Sequence, residues 1–320
     1  MTSYRTNLGR CVQGDSLDVL ATLPDNCIDL IFTSPPFSLQ RHKAYGEPGQ
    51  DEYVDWLLQF GRAALPKLKE TGSFVIDIGG AYQKGRPVKA MYPFKFMIRM
   101  VEEAGYNLAQ DFYWHNPSAL PTPIEWVNKR KMRCKTSVNT VWWFSKGDFP
   151  KADIRNVLVP YSSRMQKLVD NPDAFVKDGA VRPSGYVMRQ SSWTTNNGGA
   201  IPPNMLQITN TESNSKYLRY CKAAGIKSHP ARFPAKFPEF FIKMLTDEND
   251  LVVDIFSGSN TTGMVAESLN RRWLSVDLSA EYVASSVFRF ADNQNEALAY
   301  FADLSNGNDI KIEHRQPALL

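Results

Sequence analysis

The chain has 320 residues, 43% of them hydrophobic and 22% charged, a balance that excludes both a disordered polyelectrolyte and a miniature scaffold and allows one large α/β domain or a core domain with an inserted module. Thirty-seven Lys and Arg against 33 Asp and Glu leave a net charge of +4. No apolar run is long enough to cross a bilayer, and the polar start "MTSYRTNLGR" has no apolar signal segment, so a cytoplasmic location is expected. Cys11, Cys27, Cys134 and Cys221 are scattered, with no CxxC pair and no Cys/His cluster, which argues against a disulfide framework or a metal site.

"GRCVQGDSLDVLATLPDNCIDLIF" reads strand, turn, short helix, strand. Its second strand is apolar throughout, as in a parallel sheet covered on both faces, and it runs into Thr33, Ser34, Pro35, Pro36 and Phe37. Neither proline has an N–H for the ladder, so the strand stops there. What remains is a corner of carbonyl acceptors, the Ser34 hydroxyl and an aromatic ring. Such a corner suits a planar group bearing an NH2, such as a nucleobase amine; the plainer reading is a Pro-Pro turn over a buried Phe. "DEYVDWLLQFGRAALPKLKETGSFVIDIGG" predicts an amphipathic helix, a turn at Gly72 and a further apolar strand. "MYPFKFMIRMVEEAGYNLAQDFYWHNP" repeats helix, Gly at the helix end, strand. "WHNPSALPTPIEW" reads as a strand-exit loop, with the lining of a base pocket as the alternative, and "TSVNTVWWFSKG" as a strand with Trp142 and Trp143 on its faces. Helices alternating with buried strands predict an α/β fold with a doubly wound, mostly parallel sheet.

Residues 147–226 lose this rhythm and are rich in turn chemistry, predicting a smaller loop-rich module between flanking parts 1–146 and 227–320. Charge concentrates just there: residues 129–189 hold 13 Lys or Arg against 5 Asp, and Lys129, Arg130, Lys131, Arg133 and Lys135 fall within seven positions. A basic middle in an otherwise acidic chain suggests a polyanionic partner. Regular α/β character returns at "PEFFIKML", and the residues from about 303 read as a polar, fraying end.

"LVVDIFSGSNTTGMVAESL" is a buried strand, a turn of small residues and the start of a helix, a place where a ligand approaches backbone N–H groups. Asp277 follows Gly258 by 19 residues, the spacing at which a carboxylate meets ribose hydroxyls. No Lys follows Gly263, which disfavours a P-loop. Asn260 stands where a dinucleotide turn has its middle Gly. A nucleoside cofactor without a pyrophosphate is the better fit, against the alternative of a plain strand-to-helix turn.

"TSPPF" followed by "DIFSGSNTTG", with "QGDSLDVL" ahead of them and "HPARFPAKFPEFFI" before the cofactor turn, resembles the β-class DNA amino-methyltransferases over nearly the whole chain outside the middle segment. Ser at the first position of "SPPF" resembles the members that methylate N4 of cytosine in restriction-modification systems. The resemblance implies the S-adenosylmethionine-dependent methyltransferase fold, S-adenosyl-L-methionine as cofactor and a flipped-out cytosine of double-stranded DNA as substrate. It also implies a restriction endonuclease as functional partner, with the enzyme a monomer or weak dimer, and 147–226 as target recognition module. Ser34, Pro35, Pro36 and Phe37 are then catalytic: the Ser34 hydroxyl and Pro35 carbonyl accept from the amine while Phe37 stacks on the base. Asp254, Phe256, Ser257, Gly258, Asn260 and Thr261 are expected at the cofactor, with Asp277 on the ribose. Asp15 is implied near the adenine, although it equally suits a helix cap, and Phe233 is implied in a loop that covers the ligand. The five clustered cations are expected on phosphates. His229 reads as a loop residue. No Pro-Cys pair is present, which excludes C5 chemistry. An N6-adenine target, a non-catalytic nucleic-acid-binding protein and a nicotinamide oxidoreductase remain as competing classes.

Overall fold

The computed structural model describes residues 2–37, 52–83, 85–171, 183–185, 196–210 and 215–313. It has two compact units, one of Met1–Ala152 with Asn204–Leu320 and one of Asp153–Pro203. The larger unit is built on a ten-stranded sheet. In chain order its strands are β1 (Ser3–Arg5), β2 (Gly9–Gln13), β3 (Ile28–Thr33), β4 (Leu68–Ile78), β5 (Asn107–His115), β6 (Val138–Ser145), β7 (Met205–Gln207), β8 (Leu251–Asp254), β9 (Arg272–Asp277) and β10 (Ile310–Lys311). They lie in the order β10-β1-β2-β9-β8-β3-β4-β6-β5-β7. The centre, from β2 through β9, β8 and β3 to β4, is parallel, while β6 runs antiparallel to both β4 and β5. All six residues of β3 are buried, as expected of a strand covered on both faces.

The covering helices are α1 (Ser16–Thr22), α2 (Tyr53–Ala64), α3 (Tyr92–Glu102), α5 (Lys216–Ala223), α6 (Lys236–Leu245), α7 (Thr261–Ser268), α8 (Ala280–Ser286) and α9 (Gln294–Ser305); α4 (Ser163–Asp170) belongs to the smaller unit. On α2 the buried positions Tyr53, Leu57, Leu58 and Gly61 recur at helical spacing and face the sheet.

From β3 the chain continues to one side of the sheet, towards β4, and from β8 to the other, towards β9. β3 and β8 are therefore the switch point, where a doubly wound sheet opens a crevice at its C-terminal strand ends. Both sequence motifs lie on those two ends.

Three expectations are corrected. Gly72 makes no turn: β4 runs straight through it, and the register with β3 jumps from Ile28–Leu68 to Leu30–Ser73, so Lys69 to Gly72 form a bulge. The end of the chain is not all fray, because β10 pairs with β1 through Tyr4 and Ile310. Finally, the loop-rich segment is not one module. Its compact part is Asp153–Pro203, whereas β7 joins the main sheet beside β5 and Tyr217 of α5 packs on Phe288. Residues 172–182, 186–195 and 211–214 of that segment lie outside the described residues.

The smaller unit holds α4, capped by Ser162 Oγ accepting from Met165 N, and a bridge between Val159 and Ala200. Among the described residues no helix is long and apolar enough to cross a membrane, and no cluster of His, Cys, Asp or Glu is placed to hold a metal.

Candidate active site

A cleft of about 700 Å³ lies at the C-terminal ends of β3 and β8, and Ser34, Pro35, Pro36 and Phe37 line it together with Phe256, Ser257, Gly258, Thr261 and Asp277. Its size suits a nucleoside-sized ligand and a base together.

On the β3 side the two prolines end the strand as their chemistry dictates, and Tyr53 Oη donates to the Pro36 carbonyl at 2.8 Å, fixing the corner. Phe37 is half-buried, not a core residue. Its ring rests on Gly79, where an added Cβ would come within 2.3 Å of Phe37 Cε2; only a glycine lets the ring lie there. Ser34 Oγ donates to Asp77 Oδ2 at 3.1 Å. The same carboxylate oxygen receives Asn139 Nδ2 at 3.4 Å.

The sequence reading missed Asp77. It was legible as the lone acid in the apolar run "SFVIDI" directly before two glycines, since an acid in a buried strand demands a reason. Asp77 is 2% exposed, and burial pushes its carboxyl up to about 7, against the opposing hydrogen bonds from Asn139 and Ser34.

On the β8 side the turn is shaped by Gly258 at φ +49° and by Asn260 at φ +54°, left-handed values that Gly and Asn tolerate. Gly258 N donates to Asp277 Oδ2 at 2.8 Å and Ser279 N to Oδ1 at 2.9 Å. Burial raises the Asp277 carboxyl while these two N–H groups lower it. Leu278 beside it also lines the cleft and is 66% exposed. Asp15 serves both readings: it caps α1 by accepting from Leu17 N at 2.8 Å, and it lines the cleft. Phe233 lines it from the "HPARFP" loop and packs on Phe32. His229, read as a loop residue, contributes more: its ring lies against Gly258, 2.9 Å from where a Cβ would be.

Two candidates turn away from the cleft. Asn260 is fully buried, with Oδ1 accepting from Gly263 N and Ser275 Oγ while Nδ2 donates to Tyr4 Oη. It holds the turn from beneath. Asp254 accepts from Thr33 Oγ1 at 2.7 Å and Thr262 Oγ1 at 2.6 Å. It thus braces β3 against α7, and burial raises it to about 6. Trp114 lines the cleft, stacked on Phe237, whereas Trp142 and Trp143 are buried strand residues. The clustered cations are exposed. Lys129 and Arg130 pair with Glu125, and Lys135 donates to the Pro117 and Ala119 carbonyls.

Among the described residues, three buried side-chain polar atoms lack a partner: Asp77 Oδ1, Arg232 Nε and Ser257 Oγ. All three residues line this one cleft. Buried polar groups are nearly always satisfied, so their convergence marks the place where a polar ligand completes the site.

Residues 28–288 match the DNA methylase family. The chain is 59% identical over 291 residues to the Type II methyltransferase M.PvuII of Proteus hauseri, covering 91% of this chain and 86% of that protein. It is 24% identical to M.BglII of Bacillus subtilis over 87% of this chain and 68% of that one. A solved PvuII DNA methyltransferase (cytosine-N4-specific) superposes with a TM-score of 0.79 at 49% identity, covering 97% of each chain.

Proposed function

The chain belongs to the DNA methylase family, and from that premise we propose that it transfers a methyl group from S-adenosyl-L-methionine to the exocyclic N4 amine of a cytosine in duplex DNA. The observation that carries this reading is the Ser34–Asp77 pair and the Asp277–Gly258 turn sharing one cleft. Cytosine N4 is preferred to adenine N6 on the similarity to a cytosine-N4-specific enzyme.

The lining fits the cofactor. Asp277 lines the cleft with a carboxylate that suits ribose hydroxyls, and Leu278 offers an exposed apolar surface that suits an adenine. One cation, Arg232, is among the lining residues, and Arg232 Nη1 donates to the His229 carbonyl. A pyrophosphate would therefore find little to bind. When bound, S-adenosylmethionine would supply an electrophilic sulfonium methyl, its S–C bond breaking to leave a neutral thioether.

The protein's part is positioning and electrostatics. Because Ser34 Oγ spends its proton on Asp77, its lone pairs face outward as acceptors. With the Pro35 carbonyl it can take both N–H bonds of the target amine, which localises the nitrogen lone pair for in-line attack. Phe37, seated on Gly79, offers the base a stacking surface worth about 1–3 kcal/mol, which offsets part of the cost of extruding the base. As the N–C bond forms, the nitrogen loses a proton to Ser34 Oγ while the Ser34 proton passes to Asp77.

Target-sequence recognition is assigned to the compact unit Asp153–Pro203 within 147–226, and phosphate contact to the cations at 129–135. The enzyme is proposed to act as a monomer or weak dimer, alongside a restriction endonuclease of the same specificity that it need not touch. Incubation with methyl-labelled S-adenosylmethionine and mixed-sequence duplex DNA, followed by digestion to nucleosides, tests the reading. Label in N4-methylcytosine is expected. Label in N6-methyladenine, or none while the cofactor binds, rejects it.

A further inference from the structure

A second hollow, of about 650 Å³, opens beside the cleft and is lined by Tyr82, Lys89, Arg133, Lys135, Thr136 and Ser137 among others. Three of its lining residues are cations and none is acidic. Among the described residues, none of Lys89, Arg133 and Lys135 has a carboxylate partner; their hydrogen bonds go to Thr136 Oγ1 and to backbone carbonyls. Lys89 Nζ lies 3.2 Å from Thr136 Oγ1 and 4.6 Å from the centre of the Tyr82 ring. It therefore keeps ammonium donors for an external acceptor.

The location matters as much as the charge. The cleft and the hollow share the β4–β6 strand pair. Asp77 and Asn139 line the cleft, while Tyr82 and Val138, a few residues along the same two segments, line the hollow. Phe37 rests on Gly79, and Lys89 Nζ comes within 3.8 Å of a Cβ placed on Gly80. The glycine under the Phe37 ring and the one beside Lys89 are thus consecutive in the chain.

We propose that the hollow seats a backbone phosphate of duplex DNA next to the base being methylated, with Lys89 as its central contact and Arg133 and Lys135 beside it. This rests on the reading of the chain as a DNA methyltransferase. It departs from the sequence in one respect: Lys89 lies outside the basic cluster, whereas Lys129 and Arg130 of that cluster are partly neutralised by Glu125.

Exposed Cys134 lines the hollow and reports on its occupancy; Cys11 and Cys221 are buried. In wild-type protein, iodoacetamide alkylation of Cys134, read by mass spectrometry, is expected to slow at least severalfold when a short duplex carrying the wild type's own methylation site is bound. Unchanged alkylation with that duplex bound overturns the proposal, as does equal protection by inorganic phosphate at matched ionic strength. Separately, Lys89→Ala is expected to weaken DNA binding about tenfold and to make the plot of log affinity against log salt shallower by about 0.9. Its affinity for S-adenosylmethionine should be unchanged. A salt slope equal to wild type overturns the proposal while leaving the methyltransferase reading intact, whereas a wild type that labels no DNA removes both.

Discussion

Asp77 is costly to the fold and useful to the site. Its carboxyl is held near neutrality by burial, so the folded protein retains a proton there that the unfolded chain gives up near pH 3.8. Stability from this group is full below about 4 and is lost as pH rises through about 7. Asp254, raised to about 6, adds to the same window. Asp77→Asn should therefore flatten the decline of thermal stability between pH 4 and 7, and a decline as steep as wild type in a melting series would refute the assignment. Ser34→Ala removes an acceptor from the amine and should lower kcat by about 10²-fold while the cofactor Kd stays put. Equal loss of both would make Ser34 a structural residue. Asp277→Ala should do the reverse, raising the cofactor Kd by roughly 10- to 100-fold, as losing hydrogen bonds to a carboxylate implies, with kcat at saturation little changed; isothermal titration separates the two. Ser34, Phe37 and Asp277 were legible because Pro-Pro and Gly punctuate the chain beside them. Asp77 left only the signal of an acid in an apolar run, because its role comes from a partner 43 residues away.

At the scale of elements, the turn after β8 shows how one residue serves local and long-range needs at once. Read along the sequence, Asn260 is a glycine position filled at some cost. In space its amide joins Gly263, Ser275 and Tyr4, and so ties the turn to β9 and β1. Asn260→Ala should cost roughly 2–4 kcal/mol, through stranded buried partners and a left-handed backbone without a tolerant side chain, and urea denaturation measures it. A change below about 1 kcal/mol would mean that the network carries no stability. The Gly72 misreading has a related cause. A glycine between a helix and a strand is the usual sign of a turn, but here it allows a bulge in β4 where Gly72 Cβ would meet the Ile28 carbonyl at 3.0 Å.

For the whole molecule, the alternation of helices and strands announced a doubly wound sheet, and the motifs announced two halves of a site. The neighbouring of β3 and β8 was not legible, because strands some 220 residues apart in the chain leave no local trace of pairing. The brace from Thr33 through Asp254 to Thr262 is the physical expression of that closure. The central claim is that closure delivers a nucleobase amine to Ser34 with Asp77 ready to take the proton. Its most direct test is the single-turnover rate of methyl transfer against pH, for cofactor-loaded wild type and Asp77→Asn. Wild type should rise to a plateau with a midpoint near 7, and Asp77→Asn should be pH-independent over the same range and about 10²–10⁴-fold slower. A wild-type profile flat through that range, or an Asp77→Asn enzyme as fast as wild type, would contradict the account.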